Sequence, residues 1–305
     1  MKTKKSSAIE KPTCLIDASI YIFQYYFSLP DHWASEDGYP TAAVYGFTTF
    51  LLRLLDEERP KKVAACFDES LGTCFRNEIY EDYKVSRPPA DEDLVFQLEA
   101  CREVSELLGI ASFSSKRFEA DDLIGTLAKK LKRSATPIAI LTRDKDLGQL
   151  LSRDQDFLWD YAKNVQYYKD DIYEKFGVHS HQFIDYLALV GDSIDDIPGV
   201  PGLGPKTAQA LFSNYSCLNE LFENIHNVHQ LPIRGAKTLG EKILLHREQI
   251  LISKALATIE QNVDMNHSMS ALAWRPKNVS LELLEDFCQR MGFPRLYPRI
   301  ESVLV

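Results

Sequence analysis

The chain has 305 residues and a formal net charge of −9 at pH 7, and 45% of its residues are hydrophobic. These proportions are typical of a folded globular protein with one large or two modest domains, and they exclude intrinsic disorder. A charge of −9 also argues against a nucleic-acid-binding protein, because such proteins are usually basic. That last exclusion depends on where the acidic residues lie along the chain.

Membrane insertion and secretion have no support in the sequence. No run of about 18 apolar residues is present, and the segment Met1–Thr13 carries charge without the apolar stretch of a secretory signal. The cysteines are scattered and form no CxxC pair, so we expect free thiols in a reducing cytoplasm.

Short apolar runs alternate with helical patterns in the first half of the chain. Cys14–Ile16, Val63–Phe67 and Ile138–Leu141 are predicted to be buried strands. Between them, hydrophobic residues recur at the helical period within 44–55, 98–108 and 123–131. Strands that alternate with helices predict an α/β domain with a mainly parallel sheet. The polar stretch Tyr80–Asp93 interrupts this pattern and is predicted to be a long, functional or mobile connection.

The second half of the chain has a different character. After two short strand-like runs at 157–161 and 165–168, helical patterns and Gly- or Pro-rich turns predominate from His179 onward. We therefore expect an N-terminal tail over residues 1–12, an α/β domain over 13–177 and a helical domain over 178–305.

Acidic residues follow the predicted strands or begin a predicted helix. They are Asp17, Asp68, Glu119, Asp121, Asp122, Asp144, Asp146, Asp192 and Asp195. Taken singly, each is more readily a turn residue or a helix cap. Together they would meet at the carboxyl edge of one sheet, where ligands of α/β proteins bind. Few Lys or Arg residues interleave with these motifs, so the pattern predicts two or more bound Mg²⁺ or Mn²⁺ ions.

A glycine-rich run and a basic segment complete the set of motifs. The run Gly199–Thr207 is not a Walker A loop, because Pro205 separates Gly204 from Lys206. It predicts a turn between two helices whose N–H groups, with Lys206, hold a phosphate; the alternative is a tight turn without a ligand. Tyr83, Lys84 and Arg87, with Arg76 upstream, could clamp a phosphodiester beside the carboxylates.

These motifs, in this order, resemble those of the 5′ nuclease family. The family includes the 5′–3′ exonuclease domain of bacterial DNA polymerase I, phage 5′ nucleases and flap endonucleases. The resemblance covers about residues 13–260. The matching segments are Leu15–Asp17, Phe67–Asp68, Tyr83–Lys84 with Arg87–Pro89, Glu119–Ala128, Asp144–Asp146, Gly191–Gly202 and Arg234–Thr238.

The resemblance implies a PIN-like, mainly parallel twisted sheet with flanking helices, a helical arch at about 76–95 and a helix–three-turn–helix DNA-binding element at about 186–212. It implies that the nine carboxylates hold the divalent ions, with Asp68, Glu119 and Asp121 nearer one ion and Asp144, Asp146 and Asp195 nearer another. Tyr83, Lys84 and Arg87 would lie at the scissile phosphate. The DNA-binding residues would be Gly199, Val200, Gly202, Gly204, Lys206, Thr207, Arg234 and Lys237, with a K⁺ ion bound by the turn's carbonyls.

Two departures from the family pattern remove positive charge. Members of the polymerase type commonly carry an Arg in the first helix, where this chain has Gln24. They also carry a Gly-Lys-Thr-Phe-Arg stretch, where this chain reads Gly72-Thr73-Cys74-Phe75-Arg76. Both changes weaken the expected steering of phosphates and leave the metal chemistry intact.

The resulting hypothesis is a free-standing 5′–3′ exonuclease and 5′ flap endonuclease that leaves 5′-phosphates in primer removal and repair. We expect a monomer that binds 5′-ended, nicked or flapped DNA and works with a separate DNA polymerase. The alternatives are a PIN-type ribonuclease and a paralogue that binds branched DNA without cutting it.

Overall fold

The computed structural model describes residues 11–70, 73–265 and 268–305. Most of the predicted N-terminal tail, and Gly72 in the second family departure, lie outside these residues. Within them, no helix is long and apolar enough to cross a membrane.

A six-stranded sheet forms the centre of the first half of the molecule. Its strands are β1 (Thr13–Asp17), β2 (Val63–Asp68), β3 (Ala111–Ser115), β4 (Ile138–Leu141), β5 (Phe157–Asp160) and β6 (Val165–Tyr167). The order is β3-β2-β1-β4-β5-β6, and only β6 runs antiparallel. The predicted mainly parallel sheet is confirmed. Because the chain winds outward in both directions from β1, a crevice opens at the carboxyl ends of β1, β2 and β4.

Helices cover both faces of the sheet. They are α1 (Ala18–Ser28), α2 (Ala42–Glu58), α3 (Phe75–Ile79), α4 (Glu92–Leu107), α5 (Ala120–Leu131) and α6 (Lys169–Phe176). Alternate strand residues point to opposite faces. Cys14 and Ile16 of β1 belong to the core that contains α1, α2 and α4, whereas Leu15 belongs to the core that contains α5. This packing fixes α5 with its N-terminus toward the crevice.

The second half is helical, as expected. It contains α7 (Phe183–Val190), α8 (Pro205–Phe212), α9 (Leu218–Glu223), α10 (Ala236–Leu245), α11 (Arg247–Ala257), α12 (Leu281–Arg290) and α13 (Tyr297–Leu304). The last two helices do not stay with this half. They join the core of α2 and α4, and the Thr41 hydroxyl donates a hydrogen bond of 2.8 Å to the carbonyl of Met291. The chain therefore returns to the α/β layer within the region predicted as a helical domain, 178–305.

The predicted helical arch takes a different form. Only the short helix α3 precedes the connection; residues 81–86 form turns, and the chain is irregular from there to Asp91, before α4 begins at Glu92. Pro88 and Pro89 lie in this stretch and supply no backbone N–H groups for a helix. The segment instead packs onto the turn that follows α7, where the Lys84 N–H donates to the carbonyl of Asp195 at 3.1 Å.

The turn between α7 and α8 doubles back tightly on itself. Asp192 and Ile197 exchange two backbone hydrogen bonds of 2.9 and 2.8 Å. This brings Gly199 so close to α7 that a Cβ atom there would overlap the carbonyl of Val190. The turn then leads through Gly204 into α8, which begins at Pro205.

We expect Gly199→Ala to lower the free energy of unfolding by about 1–3 kcal/mol, because backbone atoms rather than a side chain must move. Gly204→Ala is the matched control: nothing lies within 4 Å of its Cβ position, and its φ of −98° suits any residue. Its cost should stay below about 1 kcal/mol. Urea unfolding of both variants is the measurement, and equal losses would contradict the close approach at residue 199.

Candidate metal centre and nucleic-acid interface

The fold gathers the predicted carboxylates at the crevice. Asp17 and Asp68 end β1 and β2, Asp144 and Asp146 follow β4, Glu119, Asp121 and Asp122 begin α5, and Asp192 and Asp195 lie in the turn after α7. Their charges act on one another. Asp144 and Asp68 raise the pKa of Asp17, and Asp144, Asp17 and Glu119 raise that of Asp121. The acidic residues are therefore close enough to repel.

Five of these carboxylates have no hydrogen-bonded cation among the contacts of the described residues: Asp17, Asp68, Asp121, Asp144 and Asp146. Burial is the main cause of a raised pKa in each, and neighbouring acidic residues add to it. The pKa of Asp17 rises to about 7, although the Thr142 hydroxyl donates a hydrogen bond of 2.8 Å that lowers it. The pKa of Asp146 also rises to about 7. These five form the unpaired cluster.

The other four carboxylates are held by basic side chains. Glu119 accepts from Arg76 at 2.8 Å and Lys84 at 2.5 Å, Asp122 from Arg76 at 2.8 Å, Asp192 from Lys145 at 2.6 Å, and Asp195 from Arg87 at 2.5 Å. Burial pushes the pKa of Glu119 upward, but Lys84 and Arg76 outweigh it, so the pKa is lowered. The expectation that few Lys or Arg lie among the carboxylates is therefore wrong. The cations come from distant parts of the chain, which spacing does not reveal.

The unpaired cluster suits hard divalent cations. All its donors are carboxylate oxygens, and the buried Oδ1 atom of Asp146 has no hydrogen-bond partner among the described residues. Within the same residues, no three acidic, His or Cys side chains converge closely enough to define a metal position by geometry alone. The fit therefore depends on donor chemistry and on repulsion that a cation would relieve.

Arg76 and Asp122 play a structural part instead of the predicted catalytic and ligating ones. The Arg76 side chain is only 3% exposed, and its guanidinium donates to Glu119, to both Asp122 oxygens and to the carbonyls of Leu256 and Thr258. Asp122 also accepts the N–H groups of Glu119 and Glu260. With these partners made, Arg76 cannot reach a phosphate and Asp122 has no oxygen left for an ion.

Tyr83, Lys84 and Arg87 lie over the paired carboxylates. Tyr83 is buried and its hydroxyl donates to Glu119 at 3.0 Å, which places it beneath the surface rather than at a phosphate. The Lys84 ammonium lies between Glu119 and Asp195, and Arg87 is half exposed on Asp195. Lys84 and Arg87 are thus the two predicted cations that can face a substrate.

The glycine-rich run Gly199–Thr207 and the start of α10 carry basic side chains on the surface. Lys206 is exposed at the start of α8, and Arg234 and Lys237 are exposed around Gly235, which begins α10. Lys242, which sequence spacing did not single out, reaches toward Gly202, where φ is +70°. Val200 is the exception among the predicted residues: its side chain is buried and its N–H donates to the carbonyl of Leu189.

Comparison with known proteins gives a consistent picture. Residues 12–177 match the family model of the 5′-3′ exonuclease N-terminal, resolvase-like domain, and residues 178–280 match that of the 5′-3′ exonuclease C-terminal SAM fold. A 5′-3′ exonuclease of Buchnera aphidicola is 34% identical over 258 residues, which cover 84% of this chain and 89% of that protein. DNA polymerase I of Pseudomonas aeruginosa is 38% identical over 264 residues, 86% of this chain but 29% of the polymerase.

Solved structures share the fold at lower identity. A bacteriophage T5 flap endonuclease in a pseudo-enzyme-product complex with DNA and metal ions aligns with a TM-score of 0.66 at 17% identity, covering 96% of this chain and 99% of that one. The catalytic core of Rad2 in complex with DNA substrate aligns with a TM-score of 0.63 at 18% identity, covering 97% and 92%. These likenesses concern the fold.

A charge-conserving replacement tests the contribution of the buried Arg76 guanidinium to stability. Arg76→Lys should cost about 3 kcal/mol of stability, because an ammonium cannot serve Glu119, Asp122 and two carbonyls at once. Arg117→Lys is the control, because Arg117 pairs with Glu78 where both side chains are more than half exposed, and it should cost less than about 1 kcal/mol. Urea unfolding at pH 7 compares them, and a small loss in both would refute the structural role of Arg76.

Repulsion in the unpaired cluster should make the metal-free protein less stable as pH rises. The folded pKa of about 7 for Asp146 exceeds the ordinary value near 3.9, so its stabilising proton is fully present below about pH 4 and lost through pH 7. Asp146→Asn should therefore raise stability at pH 8 by on the order of 2 kcal/mol, with little effect at pH 4. Thermal melts in EDTA measure this.

The exposed Asp37→Asn is the control for that pH series and should match the parent chain throughout. Adding Mg²⁺ at pH 8 should raise the melting temperature of the parent chain more than that of Asp146→Asn. A parent stability that stays level or rises from pH 5 to pH 8 in EDTA, with no gain from Asp146→Asn, would contradict the repulsion.

Proposed function

Because the chain belongs to the 5′-3′ exonuclease family, and is therefore a nuclease, we propose that it is a structure-specific, divalent-metal-dependent enzyme that cuts 5′ flaps and 5′-ended duplex DNA. The observation that carries this proposal is the division of the acidic crevice. An unpaired carboxylate cluster lies directly beside carboxylates that are paired with Lys84 and Arg87. Anionic ligands and phosphate-binding cations are thus adjacent, as phosphodiester hydrolysis requires.

Two or more Mg²⁺ or Mn²⁺ ions would be held by the unpaired cluster together with Glu119, Asp192 and Asp195. When bound, such ions lower the pKa of water and stabilise the attacking and leaving oxygens of a phosphodiester. The carboxylates of this chain would hold and orient the ions, and their burial would keep bulk water away. The bacteriophage T5 flap endonuclease structure, which shares this fold and contains metal ions, supports this assignment.

Lys84 and Arg87 would act on the substrate. In the present structure Glu119 and Asp195 hold them. If those carboxylates served as metal ligands, Lys84 and Arg87 would be released from them and could contact the scissile phosphate and the charge that develops on it. The connection over residues 80–91 carries both cations, so movement of this segment would bring them to the DNA. Tyr83 would support them from beneath through its hydrogen bond to Glu119.

The second half of the chain would hold duplex DNA away from the cut. The exposed Lys206, Arg234 and Lys237, the partly exposed Lys242 and the N–H groups at the start of α8 suit phosphates and carry no base specificity. We place a K⁺ ion at the carbonyls of the Gly199–Gly204 turn. The DNA present in the T5 and Rad2 structures supports a nucleic-acid partner of this kind.

We assign the protein to primer removal and repair, as a cytoplasmic monomer that leaves 5′-phosphates for a separate DNA polymerase. The relation to DNA polymerase I of Pseudomonas aeruginosa supports the link to replication. The six cysteines are all free, which supports a reducing compartment.

Single replacements in the unpaired cluster test the function. Asp121→Ala and Asp146→Ala should each reduce cleavage of a labelled DNA 5′ flap with Mg²⁺ by at least about 100-fold, because each removes a metal ligand. Asp37→Ala, at an exposed site, is the control and should cleave normally. EDTA should abolish cleavage by the parent chain.

Product analysis on matched substrates separates the alternatives. We expect 5′-phosphate products from flapped and nicked DNA and little cleavage of single strands. Preferential cleavage of the RNA flap would indicate a PIN-type ribonuclease. Tight binding of flaps by a parent chain that never cuts them with Mg²⁺ or Mn²⁺ would indicate a binding paralogue and contradict the proposal.

A further inference from the structure

A cavity of about 170 Å³ lies beside the acidic crevice, at the carboxyl ends of β4 and β5. One wall follows β4 and includes Asp144, which the cavity shares with the unpaired cluster; the other walls are the β5–β6 hairpin and α6. The space is far larger than the roughly 10–15 Å³ that a single water needs. It therefore has room for a phosphodiester group next to the metal centre.

The cavity is positive although the chain is acidic. Four cations line it, Arg143, Lys145, Lys163 and Lys175, against three carboxylates, Asp144, Asp160 and Asp171. Each carboxylate already has a partner. Asp160 accepts the Lys163 N–H at 3.2 Å, Asp171 the Tyr168 N–H at 2.6 Å, and Asp144 the Asp146 N–H at 2.8 Å. The lining therefore has a formal charge of 4 − 3 = +1, and Lys145 is held by Asp192.

Two of the cations are available to a ligand. Lys175 pairs with no carboxylate among the contacts of the described residues, and its ammonium lies over the rings of Tyr167 and Phe176, 5.6 and 5.3 Å from their centroids. Arg143 is 39% exposed and keeps one guanidinium nitrogen, Nη2, without a hydrogen bond inside the described protein. An anion in the cavity would give the Lys175 ammonium a charged partner and would accept a hydrogen bond from the Arg143 Nη2.

Arg143 is held in place by two other groups. Its Nη1 donates to the Oε1 of Gln24 at 2.9 Å, and its Nε lies 3.7 Å from the Oδ2 of Asp160. A guanidinium anchored at two points is pre-organised and loses little side-chain freedom when it binds. Gln24, where polymerase-type family members commonly carry an Arg, therefore has a contact of its own in this chain. It orients an arginine that comes from the end of β4.

We propose that this cavity is a phosphate-binding subsite for the DNA strand next to the scissile phosphodiester, with Arg143 and Lys175 as its contacts and Gln24 as a positioning residue for Arg143. The inference rests on the proposed nuclease function. A strand is favoured over a free nucleotide because Asp144 belongs to both the cavity and the cluster, so that a chain of phosphates cut at the cluster passes the cavity. Contacts of this kind steer a strand without reading its sequence.

The test uses the full chain and a fluorescent 5′-flap duplex. Arg143→Ala and Lys175→Ala should each raise KM about tenfold with kcat nearly unchanged, because both contacts are made in the ground state and the transition state alike. In EDTA, anisotropy should show weaker binding of the flap and a salt dependence whose slope is smaller by about 0.7–1. Arg299→Ala, an exposed cation on α13, is the control and should leave all three quantities unchanged.

The outcomes separate this inference from the proposed function. A parent chain that binds the flap but never cleaves it defeats the function, and the anisotropy series still tests the subsite. A parent chain that cleaves, with KM and salt slope unchanged in both variants, overturns the subsite. A loss confined to kcat also overturns it. Inhibition by deoxycytidine monophosphate at concentrations near the KM of the DNA would assign the cavity to the free nucleotide and overturn strand binding.

A separate pair of variants tests the positioning role of Gln24. Gln24→Met removes the acceptor while preserving size, and should raise KM by a smaller factor than Arg143→Ala. In the Arg143→Ala background the same change should have no further effect, because its only route to the substrate is then gone. A Gln24→Met effect that persists in that background would contradict the positioning role. Thermal melting of each variant checks that the fold is retained.

Discussion

Repulsion among buried carboxylates is the constraint on which the rest of the structure depends. The carboxyl ends of β1, β2 and β4 and the N-terminus of α5 place acidic side chains in one crevice, and burial there penalises their charge. The protein meets this cost in two ways. Basic side chains neutralise four of the carboxylates. In the unpaired cluster the repulsion remains, and it contributes to the raised pKa values of those side chains. That repulsion is what divalent ions would relieve, so the affinity for metal and the instability of the metal-free site have one origin.

Arg76 neutralises two of the crevice carboxylates, Glu119 and Asp122, and links separate parts of the fold. Its guanidinium joins α3 to the N-terminus of α5 and to carbonyls at the C-terminal end of α11. Through it, the start of the segment that carries Lys84 and Arg87 is fixed to the rigid edge of the sheet, and the helical half is fixed to the same point. Breaking a buried pair of this kind costs far more than forming a surface one, which explains why the arginine is enclosed.

The sequence predicts the parts of this arrangement that local patterns encode. The apolar runs Cys14–Ile16 and Ile138–Leu141 lie in strands, and the acidic residues after them lie at the expected edge. The pattern misses β3, because Ala111–Ser115 has three serines and only one buried aromatic side chain. It misassigns Arg76, because Asp122 lies 46 residues away and no spacing rule links them. The pairing of Gln24 with Arg143 across 119 residues is equally invisible before folding.

The net charge of −9 that argued against nucleic acid describes the chain without ions. The formal charge of the nine crevice carboxylates equals that excess. Calorimetric titration of Mn²⁺ into the metal-free chain at pH 7, repeated in buffers of different ionisation enthalpy, measures both the number of ions bound and the protons released. At least two ions should bind with release of protons, because Asp17 and Asp146 have pKa values of about 7 and must ionise to bind. Absence of binding, or binding without proton release, would contradict the proposed metal centre.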